Sequence, residues 1–125
     1  RIQPPSDGVN VLSVGACDSP DDGWRRSSYS SVGPGRTPGV AKPDGVIFGG
    51  AFERPFGVVS TASKGLSATQ GTSFASPLAL RSAVSAGVIT EAGRLDPLAI
   101  RALMVHTAEA GEGPAVRNWL GAVSI

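Results

Sequence analysis

Charge is scarce in this chain. Asp, Glu, Lys and Arg make up 17% of its 125 residues, against about 25% in an average soluble domain. A small free-standing domain exposes a large share of its surface and needs more charge than that. Part of this surface is therefore expected to lie against other polypeptide. A net charge of +1 gives no electrostatic footprint for nucleic acid or for an anionic membrane surface. No run approaches the ~18 apolar residues of a membrane span, and no charged-then-apolar leader is visible. Cys17 is the only cysteine, which excludes an internal disulfide and fits a buried or incidental thiol. Histidine also occurs once, at His106. With Arg1 as its first residue, the chain is expected to be a fragment or a processed product. Nothing in these residues separates a secreted from a cytoplasmic address.

Glycine and proline, at 17 and 10 residues, predict a loop-rich chain that stays short of disorder. The length suits one domain. Residues 1–8 read as an extended lead-in. Val9 to Cys17, rich in Val and Leu between turn residues, predicts a strand buried on both faces. Asp18, Asp21 and Asp22 fall in a turn, Asp18 to Gly23, whose spacing does not match an EF-hand loop. Trp24, Arg25, Arg26 and Tyr29 could form a stacking platform for nucleic acid, but a loop anchored by Trp24 suits a nearly neutral chain better. Gly33 to Gly39 is loop, and Pro38 stands where a phosphate-binding turn would need its third glycine. Val46-Ile47-Phe48 predicts a short buried strand closed by Gly49-Gly50. Phe56 to Ala62 predicts another, followed by a polar stretch from Ser63 to Gln70.

The run Phe74 to Ile89 predicts a helix whose only charged residue is Arg81. A helix apolar on every face is expected to be buried on every face. A second helix is expected from Asp96-Pro97, a capping residue followed by proline at the first helical position. Ile100, Leu103, Met104 and Thr107 form its stripe, with Leu98 and Val105 opposite and Gly111 as a stop. Trp119 and Leu120 are candidate anchors for the tail.

Ser73 stands where the first helix begins, after Gly71 and Thr72. A serine there lies close to unpaired backbone N–H groups and the positive end of the helix dipole. That setting suits a nucleophile whose attack creates an oxyanion, although for a bare serine among small residues a plain N-cap is the more ordinary use of it. A nucleophilic serine also needs a general base, itself oriented by a third group. His106, flanking the stripe of the second helix, reads as a structural histidine.

The string Gly71-Thr72-Ser73-Phe74-Ala75-Ser76-Pro77 resembles the nucleophile motif of the subtilisin-like serine peptidases. Three further landmarks are similar to that family and occur in its order: Asn10 to Ala16 ending in Val-Gly-Ala, Tyr29-Ser30-Ser31-Val32-Gly33-Pro34, and Ala41-Lys42-Pro43-Asp44-Gly45. Together they cover roughly residues 3 to 110. Leu78, after the proline, and Ile47-Phe48-Gly49 depart from the usual pattern without touching the nucleophile.

The resemblance implies an α/β chain with a partial subtilisin-like three-layer fold, a mostly parallel sheet packed by helices with the N-terminal part of the domain missing. Residues 1–125 would be the C-terminal portion of one such domain. Ser73 would be the nucleophile, Thr72 a support for the oxyanion site, and Gly71 the point where substrate backbone approaches closely. The family places its Asp and His before the serine, yet no histidine precedes Ser73 here, and the oxyanion asparagine has no counterpart. The expectation is a serine endopeptidase segment that is inactive alone, with no cofactor and no metal assigned. Its partners would be a polypeptide substrate in the intact enzyme and either the missing N-terminal half or a second copy. A non-catalytic remnant serving binding or assembly is the alternative. An α/β-hydrolase elbow fits poorly, because Ala75 replaces the second glycine of Gly-x-Ser-x-Gly and no histidine in a loop follows.

Overall fold

The computed structural model describes residues 2–36, 40–89 and 96–108. Their elements run β1 (Val14–Cys17), β2 (Gly45–Phe48), β3 (Phe56–Ser60), β4 (Gly65–Thr69), α1 (Thr72–Ile89) and α2 (Pro97–His106). The architecture is small α/β. β1 and β2 pair in parallel, with Ala16 opposite Ile47, while β3 and β4 form an antiparallel hairpin with Val59 opposite Leu66.

Side chains alternate across the parallel pair. Ala16 and Ile47 face a core completed by Ala75 and Ala79 of α1 and Met104 of α2. Ala75 and Ala79 are four residues apart, one turn along the same face, and their small side chains let α1 lie close to the sheet. On the opposite face Cys17 and Val46 pack with Trp24, so the expected Trp24 anchor forms. Both described helices thus cover one face and a loop covers the other.

The expected strand from Val9 to Cys17 is shorter than the sequence suggests, running only from Val14 to Cys17. Side chains have claimed the backbone before it. Arg101 donates to Val9 O at 2.6 Å, and Lys42 Nζ donates to Val11 O. The expected strand from Phe56 ends at Ser60, and the polar stretch after it is itself a strand, β4. Ser67 and Thr69 pair with Val58 and Phe56, so β4 lacks the apolar alternation that would have announced it. Thr61 to Lys64 is too short a connection for a parallel crossover, and Lys64 closes it at φ 50°. Half of the strands among the described residues are therefore antiparallel, where a mostly parallel sheet is expected.

α1 begins at Thr72, slightly ahead of the expected run. Its burial is one-sided: Leu80 and Val84 are 65% and 58% exposed. Burial on every face, as the composition suggests, does not occur among the described residues. α2 starts as expected, with Asp96 accepting from Leu98 N–H at 2.9 Å and Pro97 at the first position. Met104 is buried and Ile100 packs against the core. Gly111, Trp119 and Leu120 lie outside the described residues.

A buried charge cluster fastens these pieces. Asp44 accepts from Ser13 N–H at 2.7 Å, from Lys42 Nζ at 2.6 Å and from Arg101. One carboxylate therefore joins the chain before β1, the start of β2 and α2.

Candidate active site

The candidate residues sit where the ends of β1 and β2, the hairpin and the start of α1 converge. Gly49 and Gly50 close β2, and neither tolerates a side chain. A Cβ on Gly49 would stand 2.7 Å from Ala16 Cβ and 3.0 Å from Gly71 O. A Cβ on Gly50, which has φ +88°, would stand 2.8 Å from both Phe56 N and Thr69 O. Tyr29 Oη donates to Gly50 O at 2.6 Å, fixing this corner from the loop side.

From the corner the chain passes to the helix. Gly71 N–H donates to Gly49 O at 2.9 Å, and Phe74 N–H donates to Gly71 O at 3.0 Å. Gly71 has φ +157°. Thr72 is half-buried and lines an open polar cleft of about 240 Å³ with Ser13, Gly15, Tyr29 and Ser30. Ser76 Oγ donates to Thr72 O at 3.1 Å.

Ser73 is the second residue of α1 and is exposed. The N-cap alternative is not what forms, because the helix already includes Thr72 and the position before it is Gly71. Among the described residues, the hydroxyl and backbone N–H of Ser73 have no hydrogen-bond partner. An exposed hydroxyl next to open N–H donors at the positive end of an 18-residue helix can serve as an oxyanion-forming nucleophile.

His106 is the last residue of α2 and is exposed. Its imidazole makes no hydrogen bond to Ser73 or to any other described residue. The three motif residues are contiguous, so the structure keeps Gly71, Thr72 and Ser73 together and brings no described histidine to them.

The acidic turn is committed to local contacts. Asp18 accepts from Arg25 N–H at 2.7 Å, and Asp21 pairs with Arg54 at 2.7 Å. Among the described residues no group of three His, Cys, Asp or Glu is placed to hold a metal, and no helix is long and apolar enough to cross a membrane. Burial pushes the Cys17 thiol up to about 11, with Asp18 adding to the rise. That leaves it unsuited as a thiolate nucleophile at neutral pH.

Sequence reasoning missed two supports of this site. Tyr29 was legible only as a landmark, not as a donor to Gly50 O. Phe56, whose ring stacks on Phe74, offered no signal, since the pairing crosses a hairpin with an unrecognised second strand.

The family model described as Peptidase_S8, the subtilase family, matches residues 1–123. No curated protein and no solved structure matches the chain.

Proposed function

Because the chain belongs to the subtilase family of serine peptidases, we propose that it carries the nucleophile of a subtilisin-type endopeptidase and that the nucleophile is Ser73. The observation that carries this reading is the exposed Ser73 hydroxyl at the first turn of α1, which has no hydrogen-bond partner among the described residues. Ser73 Oγ attacks the scissile carbonyl carbon. As the Oγ–C bond forms, its proton passes to a general base and the carbonyl oxygen takes up negative charge. The Ser73 N–H donates to that oxygen. Collapse expels the amine, which takes the proton, and leaves an acyl-enzyme that water hydrolyses. Thr72 supports the oxyanion side, and Gly71 lets the substrate backbone approach.

The base, its orienting carboxylate and the second oxyanion donor come, on this reading, from polypeptide outside the chain. Residues 1–125 are then the C-terminal portion of a three-layer domain, completed by an N-terminal part or by a second copy. Without those groups only residual catalysis is available, about 10³–10⁴ over water even with an oxyanion hole and cleft in place. The chain by itself does not turn over peptides.

A fluorophosphonate probe tests this. The isolated chain is expected to resist stoichiometric labelling, whereas a longer product carrying upstream Asp and His motifs labels at Ser73 and loses the label in Ser73→Ala. Fast labelling of the isolated chain would refute its inactivity. No labelling of the longer product would favour a non-catalytic binding module.

A further inference from the structure

The first turn of α1 is held from two sides. On one, the backbone of Gly71 hangs from Gly49 O at 2.9 Å. On the other, Phe74 stacks on Phe56 of the hairpin, ring centroids 5.5 Å apart and planes at 26°. Phe56 stacks in turn on Phe48 at 5.9 Å and 28°. Phe48 packs against the buried cluster of Cys17, Trp24 and Val46. Both contacts fall in the range of stabilising aromatic pairs. A file of rings thus starts in the core, crosses the hairpin and ends on the residue after Ser73. The Phe74 ring also lies 3.6 Å from where a Cβ on Gly71 would be, so it closes over the turn it belongs to. Between the two anchors stand only Thr72 and Ser73, and nothing else among the described residues bonds the Ser73 hydroxyl or N–H.

We propose that Phe56 is a positioning residue for Ser73, acting through Phe74 to hold the Gly71–Phe74 turn so that the hydroxyl stays beside the open N–H groups of the helix start. This rests on the reading of Ser73 as nucleophile. The hairpin directs Val59 and Leu66 to solvent, whereas Phe56 turns inward, so its ring is the part of β3 placed to transmit the hairpin's position. A displacement of about 1 Å at a reacting group can cost ~10²-fold in rate, which makes such an anchor consequential.

The test replaces the hydroxyl with a group whose ionisation reports its surroundings. In the full chain carrying Ser73→Cys, the rate of iodoacetamide alkylation is followed against pH, with mass spectrometry separating the new thiol from Cys17. A thiol held at a helix N-terminus titrates below the ordinary value of about 8.5. Phe56→Leu in that background is expected to raise the midpoint by roughly one unit, slowing alkylation at pH 7 about threefold once the higher nucleophilicity of a more basic thiolate is counted. Phe56→Tyr, which keeps the ring, is expected to leave it low. An unchanged midpoint in Phe56→Leu overturns the positioning role and leaves the Ser73 reading standing. An ordinary midpoint with Phe56 intact overturns the Ser73 reading itself. Cys17 reports folding throughout. If Phe56→Leu opens it to alkylation, Phe48→Leu replaces that variant under the same expectation, and opening of Cys17 in both makes the stack purely structural and ends the proposal.

Discussion

Asp44 is the position at which one atom's charge tests the whole packing scheme. The Lys42 side chain is 0% exposed and pairs with Asp44 at 2.6 Å, Asp44 itself being 6% exposed. Arg101, 27% exposed, binds the other carboxylate oxygen. Asp44→Asn keeps the shape, and its amide oxygen can still accept from Ser13 N–H. What it loses is the countercharge. The Lys42 ammonium is then left buried with Val11 O and a neutral amide. Removing one partner of a buried pair costs about 3–5 kcal/mol, a large part of the 5–15 kcal/mol that holds a typical domain together. Urea denaturation followed by circular dichroism reads this directly.

Lys42→Met should cost less, since Asp44 retains Arg101 and the Ser13 N–H. The double variant should cost less than the two single losses added, because it leaves no uncompensated ammonium. Added salt should barely change the Asp44→Asn loss, as burial shields the pair from screening. The exposed Arg54–Asp21 pair supplies the contrast, with an expected contribution below about 1 kcal/mol that salt erodes. A loss of under about 1 kcal/mol in Asp44→Asn would refute the view that this carboxylate offsets a desolvated charge.

Two further outcomes follow from the same packing. Cys17, raised to about 11 by burial, should resist alkylation at pH 8 in the native chain and react once urea exposes it. Its proton is held more tightly folded than unfolded, so its contribution to stability is complete below pH 9 and is lost as pH rises toward 11; an alkaline denaturation profile unaffected by Cys17→Ala would contradict this. Gly50→Ala combines φ +88° with a Cβ 2.8 Å from Phe56 N and Thr69 O. It should cost at least 1–3 kcal/mol, roughly the strain of a non-glycine residue at such a φ, and a melting curve matching that of the parent chain would show that the corner relaxes.

The parts of the fold legible in the sequence are those fixed by local chemistry. Asp96-Pro97 opens α2 because capping and the proline φ are properties of two adjacent residues. Val46-Ile47-Phe48 is a strand because three apolar residues before Gly49-Gly50 leave little else. The failures are long-range. The backbone of Val9 and Val11 is withdrawn from strand pairing by Arg101 and Lys42, which lie 92 and 31 residues away. β4 escaped because its inward positions, Ser67 and Thr69, are polar and become a strand only through pairing with Val58 and Phe56. In the candidate site, the motif string gave the place of Ser73 and its neighbours. The supports at Tyr29 and Phe56 depend on tertiary contacts that no spacing encodes.

The exposed side of α1 connects these observations to the proposed chemistry. Ser73, Pro77, Leu80 and Val84 are spaced by four, three and four residues, which places them on one helical stripe, and all four are exposed. The hydroxyl therefore heads an apolar track that points away from Ala75, Ala79 and the sheet. Fully burying a leucine and a valine contributes about 1.5–3 kcal/mol each, a stabilisation that this chain forgoes along the track. A surface that covers Leu80 and Val84 reaches toward Ser73 along the same line. It would remove water from the helix mouth, where open N–H groups act most strongly on a developing oxyanion. On the reading proposed here, completing the core and enclosing the nucleophile are one event. Low charge, an apolar helix exposed on one side and a hydroxyl without a partner among the described residues then have a common cause.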